Sequence, residues 1–250
     1  AECQSEPVNV SERIQSDKTF YFKTYYKGGA IELAPILAVI FNKSLSQGIV
    51  SEDWRHVNVT AIFKKGACQY LANYRPVSLT SICCKLLEYC IARLTLKHLE
   101  THNILTDCQH GFRARRSCET QIITLLHELS SSLDKGTQTD MIILDFSKAF
   151  DRVPHRRLLQ KIHQYGIRGN THKWIESFLI NRSQQVVAEG KTSETVSLSS
   201  AGAPMVCPGA PTLPGVQNDL PENLNSDTRL FADDAIVYRQ IHSVEDQVIL

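Results

Sequence analysis

Two apolar, β-branched runs in this chain end abruptly in carboxylates. Ile142-Ile143-Leu144 leads into Asp145, and Leu230-Phe231-Ala232 leads into the pair Asp233-Asp234. Each run reads as a buried strand, so each sets charge at a strand end, where a folded core would exclude it. Carboxylates gathered there would repel one another. Two divalent ions held roughly 3.5 to 4 Å apart would remove that repulsion and stabilise both the attacking and the leaving oxygen of a phosphoryl transfer. The residues therefore point to a two-metal nucleotidyl transferase. Taken singly, each cluster has a plainer reading: Asp145 as a strand-end carboxylate on backbone amides, Asp233-Asp234 as ordinary turn residues.

The rest of the pattern is that of a folded domain. A chain of 250 residues with 42% hydrophobic content suffices for one large domain or two small ones. No apolar stretch approaches the roughly 20 residues that span a bilayer, and residues 1–29 lack the apolar core of a signal peptide, so an intracellular protein is expected. The first residue is not Met, which reads as a piece of something longer. Eight cysteines show no Cys-x-x-Cys pair and no zinc-finger spacing, and are expected as reduced thiols. Cys83, Cys84 and Cys90 fall in an apolar helical stretch and read as small core residues. Charge is segregated: residues 55 to 116 carry ten basic and three acidic side chains, and residues 117 to 250 carry 12 and 16. A basic segment beside an acidic one suits a protein that grips phosphates with one part and holds metal ions with another, although a solvated basic face has the same composition.

Periodicity outlines the elements. Leu33, Leu37, Ile40, Phe41 and Leu45 recur at helical spacing from Ile31 to Gln47, with Gly48 as a stop. Val57 to Phe63 alternates as a half-buried strand and runs into Lys64-Lys65-Gly66. A helix from about Ser81 to Leu99 carries Ile82, Leu86, Cys90, Ile91 and Leu94 on one face. A loop rich in His, Gly and Arg, 102–116, precedes a helix capped by Ser117 and ended by Gly136. The strand Met141 to Leu144 delivers Asp145. Two short helices follow, His155 to Tyr165 and Thr171 to Ile180, then a hairpin, Gln185 to Ala188 and Thr195 to Leu198, turned by Glu189-Gly190-Lys191. A last hairpin, Thr228 to Phe231 and Ala235 to Tyr238, places Asp233 and Asp234 at its turn. Trp54 and Trp174 read as packing anchors, and the histidines form no catalytic constellation.

Four strings, in this order, resemble the reverse transcriptases of LINE-type (non-LTR) retrotransposons. They are Asn73-Tyr74-Arg75-Pro76-Val77-Ser78-Leu79-Thr80; Gln109-His110-Gly111-Phe112-Arg113 with Arg116-Ser117; Leu144-Asp145-Phe146-Ser147-Lys148-Ala149-Phe150-Asp151 with Val153-Pro154-His155; and Leu230-Phe231-Ala232-Asp233-Asp234. The resemblance covers about Ala30 to Ile241. It implies an α+β right-hand polymerase, with fingers over 30–132 and a palm over 133–250 whose antiparallel sheet, packed with helices, carries the acids. The thumb is expected to be absent, since the chain stops at Leu250, and 1–29 is a lead-in without an assigned fold.

The resemblance also implies an RNA-directed DNA polymerase that adds dNTPs to a primer 3′-hydroxyl on an RNA template, with a DNA primer. Two Mg²⁺ ions, or Mn²⁺, would be held at Asp145, Phe146, Asp233 and Asp234, the three acids being catalytic and Asp234 the less direct partner. Lys64, Lys65 and Arg75 are expected on the incoming triphosphate. Phe150 is expected as a steric gate that excludes a 2′-hydroxyl. Arg113, Arg115 and Arg116 are expected along the template or primer backbone.

One segment departs from the family's pattern. The expected Pro-Gln-Gly turn reads Pro204-Met205-Val206, and Pro208, Pro211 and Pro214 interrupt the helix expected before Asn218-Asp219-Leu220-Pro221. Each interior proline would cost a helix about 3 kcal/mol. A truncated copy that positions substrate poorly is the expectation. The alternative is a non-catalytic retrotransposon remnant whose basic fingers bind RNA or DNA. A metal phosphohydrolase is weaker, because the Asp-x-Asp loop of the haloacid type is missing at Asp145-Phe146-Ser147.

Overall fold

The computed structural model describes residues 30–146, 149, 152–198 and 217–249. The lead-in, Phe150 and the segment 202–216 lie outside the described residues. In chain order the first half contains α1 (Ala30–Gln47), β1 (His56–Phe63), β2 (Tyr74–Leu79), α2 (Ile82–Thr101), α3 (Cys118–Asp134) and β3 (Gln138–Leu144). There follow α4 (His155–Gln164), α5 (Gly169–Leu179), β4 (Ser183–Ala188), β5 (Lys191–Thr192), β6 (Val196–Ser197), β7 (Asp227–Phe231), β8 (Asp234–Ile241) and α6 (Val244–Ile249). The elements gather into two compact units, each built from two stretches of chain: Ala1–Thr95 with Asp151–Ala210, and Leu96–Phe150 with Pro211–Leu250. The first unit's sheet takes in β4, β5 and β6 from late in the sequence, and the second unit takes in residues 96–132 ahead of its own sheet.

In the first unit, β1 pairs antiparallel with β2 and parallel with β4, which in turn pairs with β5 and β6. The sheet is therefore mixed. The stretch Tyr74–Leu79 carries no strand signal because Pro76 sits inside it. It forms a strand because β2 lies at the sheet edge, where a residue without an N–H is tolerated. The β4–β5 turn is Glu189-Gly190, both at positive φ, and Lys191 belongs to β5 rather than to the turn.

Helix α1 buries Ala34, Leu37, Ala38, Phe41 and Leu45, a stripe at i, i+3, i+4, i+7 and i+11. Leu33 and Ile40, expected in that stripe, lie on its flank and are 36% and 43% exposed. Gly48 ends the helix at φ 67°, with the Ile49 N–H donating to Ser44 O at 3.0 Å. In α2 the buried residues include Cys84, Leu86, Leu87 and Ile91, whereas Ile82 is exposed. The described cysteines are all free thiols.

Trp174 anchors this unit. Its indole is 1% exposed, stacks on Phe178 at 5.3 Å and donates Nε1–H to Ser44 Oγ at 2.9 Å. Ser177 Oγ receives the Val50 N–H and an Arg55 guanidinium N–H, fastening the β1 entry to α5. Trp174→Ala should cost about 3 to 5 kcal/mol, since it leaves a large cavity and removes the hydrogen bond to Ser44. An unfolding free energy from denaturant titration within about 1 kcal/mol of the parent would contradict that packing role.

In the second unit, β3, β8 and β7 form an antiparallel sheet in that spatial order. The reading of Ile142-Ile143-Leu144 as a buried strand is corrected here. β3 is an outer strand, and Ile143 is 71% exposed. A short apolar run does not by itself separate a buried strand from an exposed edge. The β7–β8 hairpin is the buried part, with Leu230, Ala235, Val237 and Tyr238 in the core. Ser117 and Thr120 close a capping box at the start of α3, and Gly136 at φ 66° ends its last turn. No helix among the described residues is long and apolar enough to cross a membrane.

Candidate active site

The acidic clusters meet through strand register. Phe231 pairs with Asp234, which leaves Ala232 and Asp233 as a two-residue turn, with Ala232 left-handed at φ 58°. Leu144 pairs with Ala235 across β3 and β8, so Asp145, the next residue, emerges beside Asp234. Directly opposed residues of an antiparallel pair lie about 4.5 to 5.5 Å apart at Cα. Asp145 and Asp234 are exposed and Asp233 is half-buried. The Asp234 carboxyl is pushed above its ordinary value by loss of solvation, then by the negative charges of Asp233 and Asp145.

Part of that rise, after the loss of solvation, comes from the neighbouring acids, and oxygen donors of this kind suit Mg²⁺. Among the described residues no three His, Cys, Asp or Glu side chains stand close enough to enclose an ion. The donor set fits an ion held by one or two carboxylates and completed by substrate oxygens and water, the usual arrangement for Mg²⁺ at phosphates. Phe146, 41% exposed, has no side-chain donor and could add only its main-chain oxygen.

The hairpin is braced on both sides. The loop Cys108 to Gly111 runs along β7: the Leu230 N–H donates to Cys108 O at 2.9 Å, and the His110 N–H to Leu230 O at 2.8 Å. Asn218 ties the same loop, accepting the Thr106 N–H and donating to Ile104 O, each at 2.7 Å. From α3, Glu128 accepts hydrogen bonds from Arg229 on β7 and the Tyr238 hydroxyl on β8. Burial, with the Glu128 carboxylate second, drives the Tyr238 phenol far above its usual range. The Gln109-His110-Gly111 and Asn218 strings are visible in the sequence, but nothing there says that they touch the hairpin.

The basic candidates fall into two groups. Lys64, Lys65 and Arg75 are exposed on the β1–β2 hairpin of the first unit, where the ladder puts Arg75 opposite Ile62. Arg113, Arg115 and Arg116 belong to the second unit. Arg113 donates to Thr106 O at 2.9 Å and faces Glu100 and Asp107 at 3.9 and 3.8 Å. Arg116 pairs with Asp107 at 2.7 Å. Both guanidinium groups thus help to shape their own loop, while Arg115 is exposed at φ 62°.

The geometry is that of an antiparallel hairpin tipped by Asp233 beside the strand-end Asp145. A family profile described as reverse transcriptase (RNA-dependent DNA polymerase) matches residues 62–249, and the chain belongs to that family. Within it the resemblance is to the reverse transcriptase domains of LINE-type (non-LTR) retrotransposons. The RNA-directed DNA polymerase from mobile element jockey of Drosophila funebris is 29% identical over 203 residues, 80% of this chain and 22% of that protein. The probable RNA-directed DNA polymerase from transposon BS of Drosophila melanogaster is 27% identical over 168 residues, 63% of this chain and 18% of the relative. The chain thus spans about a fifth of the length of these relatives. Among solved structures, a partial Cas6-RT-Cas1–Cas2 complex aligns over 94% of this chain and 37% of its own, at 14% identity and a TM-score of 0.46.

Proposed function

We propose that this chain is the nucleotidyl-transfer portion of an RNA-directed DNA polymerase, adding dNTPs to a primer 3′-hydroxyl on an RNA template. The observation that carries this reading is the register that sets Asp145 beside Asp234, one residue from the Asp233 turn. Residues 30–132 would serve as fingers and 133–250 as palm. Two divalent ions, Mg²⁺ or Mn²⁺, when bound would lower the pKa of the primer hydroxyl and neutralise charge on the triphosphate and departing pyrophosphate. Asp145 and Asp233 would hold the ions, with Asp234 and the Phe146 main chain in supporting roles.

Lys64, Lys65 and Arg75 would supply charge and donors to the triphosphate. Arg115 is free to follow a nucleic-acid backbone, and Arg113 and Arg116 hold the loop that presents it. Phe150 would exclude the 2′-hydroxyl of a ribonucleotide.

A primed RNA template, Mg²⁺ and dNTPs test this reading. Extension with dNTPs but not with ribonucleotides is expected, and Phe150→Ala should admit ribonucleotides. RNA binding that persists with no extension at any metal concentration would instead favour a nucleic-acid-binding remnant. Extension only after Pro-Gln-Gly and its helix are restored at 204–216 would locate the defect there.

A further inference from the structure

We infer that Gln109 is a positioning residue for the acidic turn, one side-chain oxygen gripping two main-chain N–H groups so that Asp233 is presented in a single geometry. The inference rests on the metal-holding role proposed for Asp233. Gln109 is 0% exposed. Its Oε1 accepts the Gly111 N–H at 2.8 Å and the Ala232 N–H at 3.3 Å. Those two bonds orient the amide, and Nε2 is left buried without a partner among the described residues. A glutamine kept dry with half its amide unused is not there for solubility or packing alone.

The place that it grips is the one that needs holding. Ala232 has a left-handed backbone, an uphill conformation for a residue with a Cβ, and it lies just beyond the last β7–β8 pair. The ladder therefore cannot restrain its N–H, and Gln109 does. The loop is brought within reach by a parallel bridge between Gln109 and Leu230. It is kept there by Gly111, where an added Cβ would collide with Ala232 N and stand 2.9 Å from Ala232 Cα. Gly111 is thus required for close approach, and Gln109 converts that approach into a fixed turn. Small misplacements of a catalytic group are costly, which gives the clamp a functional consequence.

Amide-resolved hydrogen exchange by NMR, together with Mn²⁺ binding by EPR, tests the clamp without requiring turnover. Gln109→Leu should speed exchange at Ala232 and Gly111 about tenfold, the loss of one hydrogen bond's protection, with exchange near Trp174 unchanged. Mn²⁺ binding should weaken by a similar factor. Gln109→Glu, which keeps an acceptor oxygen, should restore protection at Ala232. Wild-type exchange at Ala232 in Gln109→Leu, or no difference between the Leu and Glu variants, would overturn the clamp. Should the Leu variant fail to fold, Gly111→Ala set against Gln109→Glu decides: the clamp requires Ala232 to lose protection in the first and keep it in the second. Asp233→Asn separates the two ideas. It should weaken Mn²⁺ binding while leaving Ala232 protected, and unchanged Mn²⁺ binding would remove the metal role while the clamp still stands or falls on exchange.

Discussion

Asp145→Asn and Asp233→Asn are each expected to lower Mg²⁺-dependent nucleotide addition by about 10³-fold, roughly 4 kcal/mol of transition-state stabilisation. The amide keeps the shape of the carboxylate but removes the charge that holds a cation. Fold stability should change by less than about 1 kcal/mol, because each acid sits in solvent or at a turn and repels its neighbours. Relief of that repulsion should bring the Asp234 carboxyl back toward its ordinary value, visible in its ¹³C chemical shift. Single-turnover extension read beside thermal unfolding separates the two effects. Full activity in either variant would dismiss the site assignment, and equal losses of activity and stability would mean that the acid is structural.

Stability of the first unit is expected to fall as pH rises from about 4.5 to about 8, and Glu88 is the cause. Glu88 on α2 is 6% exposed, and its Oε2 has no hydrogen-bond partner among the described residues. Burial pushes its carboxyl from 4.5 up to about 8, against the lowering pull of Arg182 and Lys85. Arg182, 1% exposed, lies over the Phe178 ring at 4.5 Å and donates through Nη1 to Phe178 O, while its Nε and Nη2 reach no acceptor among the described residues; its charge therefore acts on Glu88 without a hydrogen bond and offsets only part of the cost. The folded chain therefore holds a proton that the unfolded chain releases above about pH 4.5. The contribution is fully present below that pH and lost as pH passes through about 8. Its full size is on the order of 5 kcal/mol. Glu88→Gln should flatten the pH profile of thermal unfolding and be the more stable protein at pH 9. A parent profile that is flat from pH 5 to 9, or a variant with the same slope, would show that Glu88 does not titrate this way.

Much of the secondary structure was legible because its signals are local. The Gly48 and Gly136 stops, the Ser117 cap and the acid-tipped hairpin each depend on a few adjacent residues. Faces of elements were less legible. Leu33, Ile40 and Ile82 fit a helical period but lie outside the buried stripes, and Ile142-Ile143-Leu144 lines an exposed edge strand. The strand Tyr74–Leu79 was hidden by Pro76, whose tolerance depends on edge position.

For the site, sequence alone determined the chemistry on offer: carboxylates after two apolar runs, basic residues before them, and four ordered strings that resemble one polymerase family. These are properties of residue type and spacing, which the chain carries whether folded or not. Only the tertiary structure decided which carboxylates meet, since that depends on β3 and β8 pairing with Leu144 opposite Ala235. It also decided that Arg113 and Arg116 spend their donors on their own loop, and that Gln109 reaches Ala232 across 123 positions of chain. A hydrogen bond between residues so far apart leaves no periodic trace in a sequence. It exists because a glycine lets two backbones approach to contact, and because a buried amide has no water to turn to.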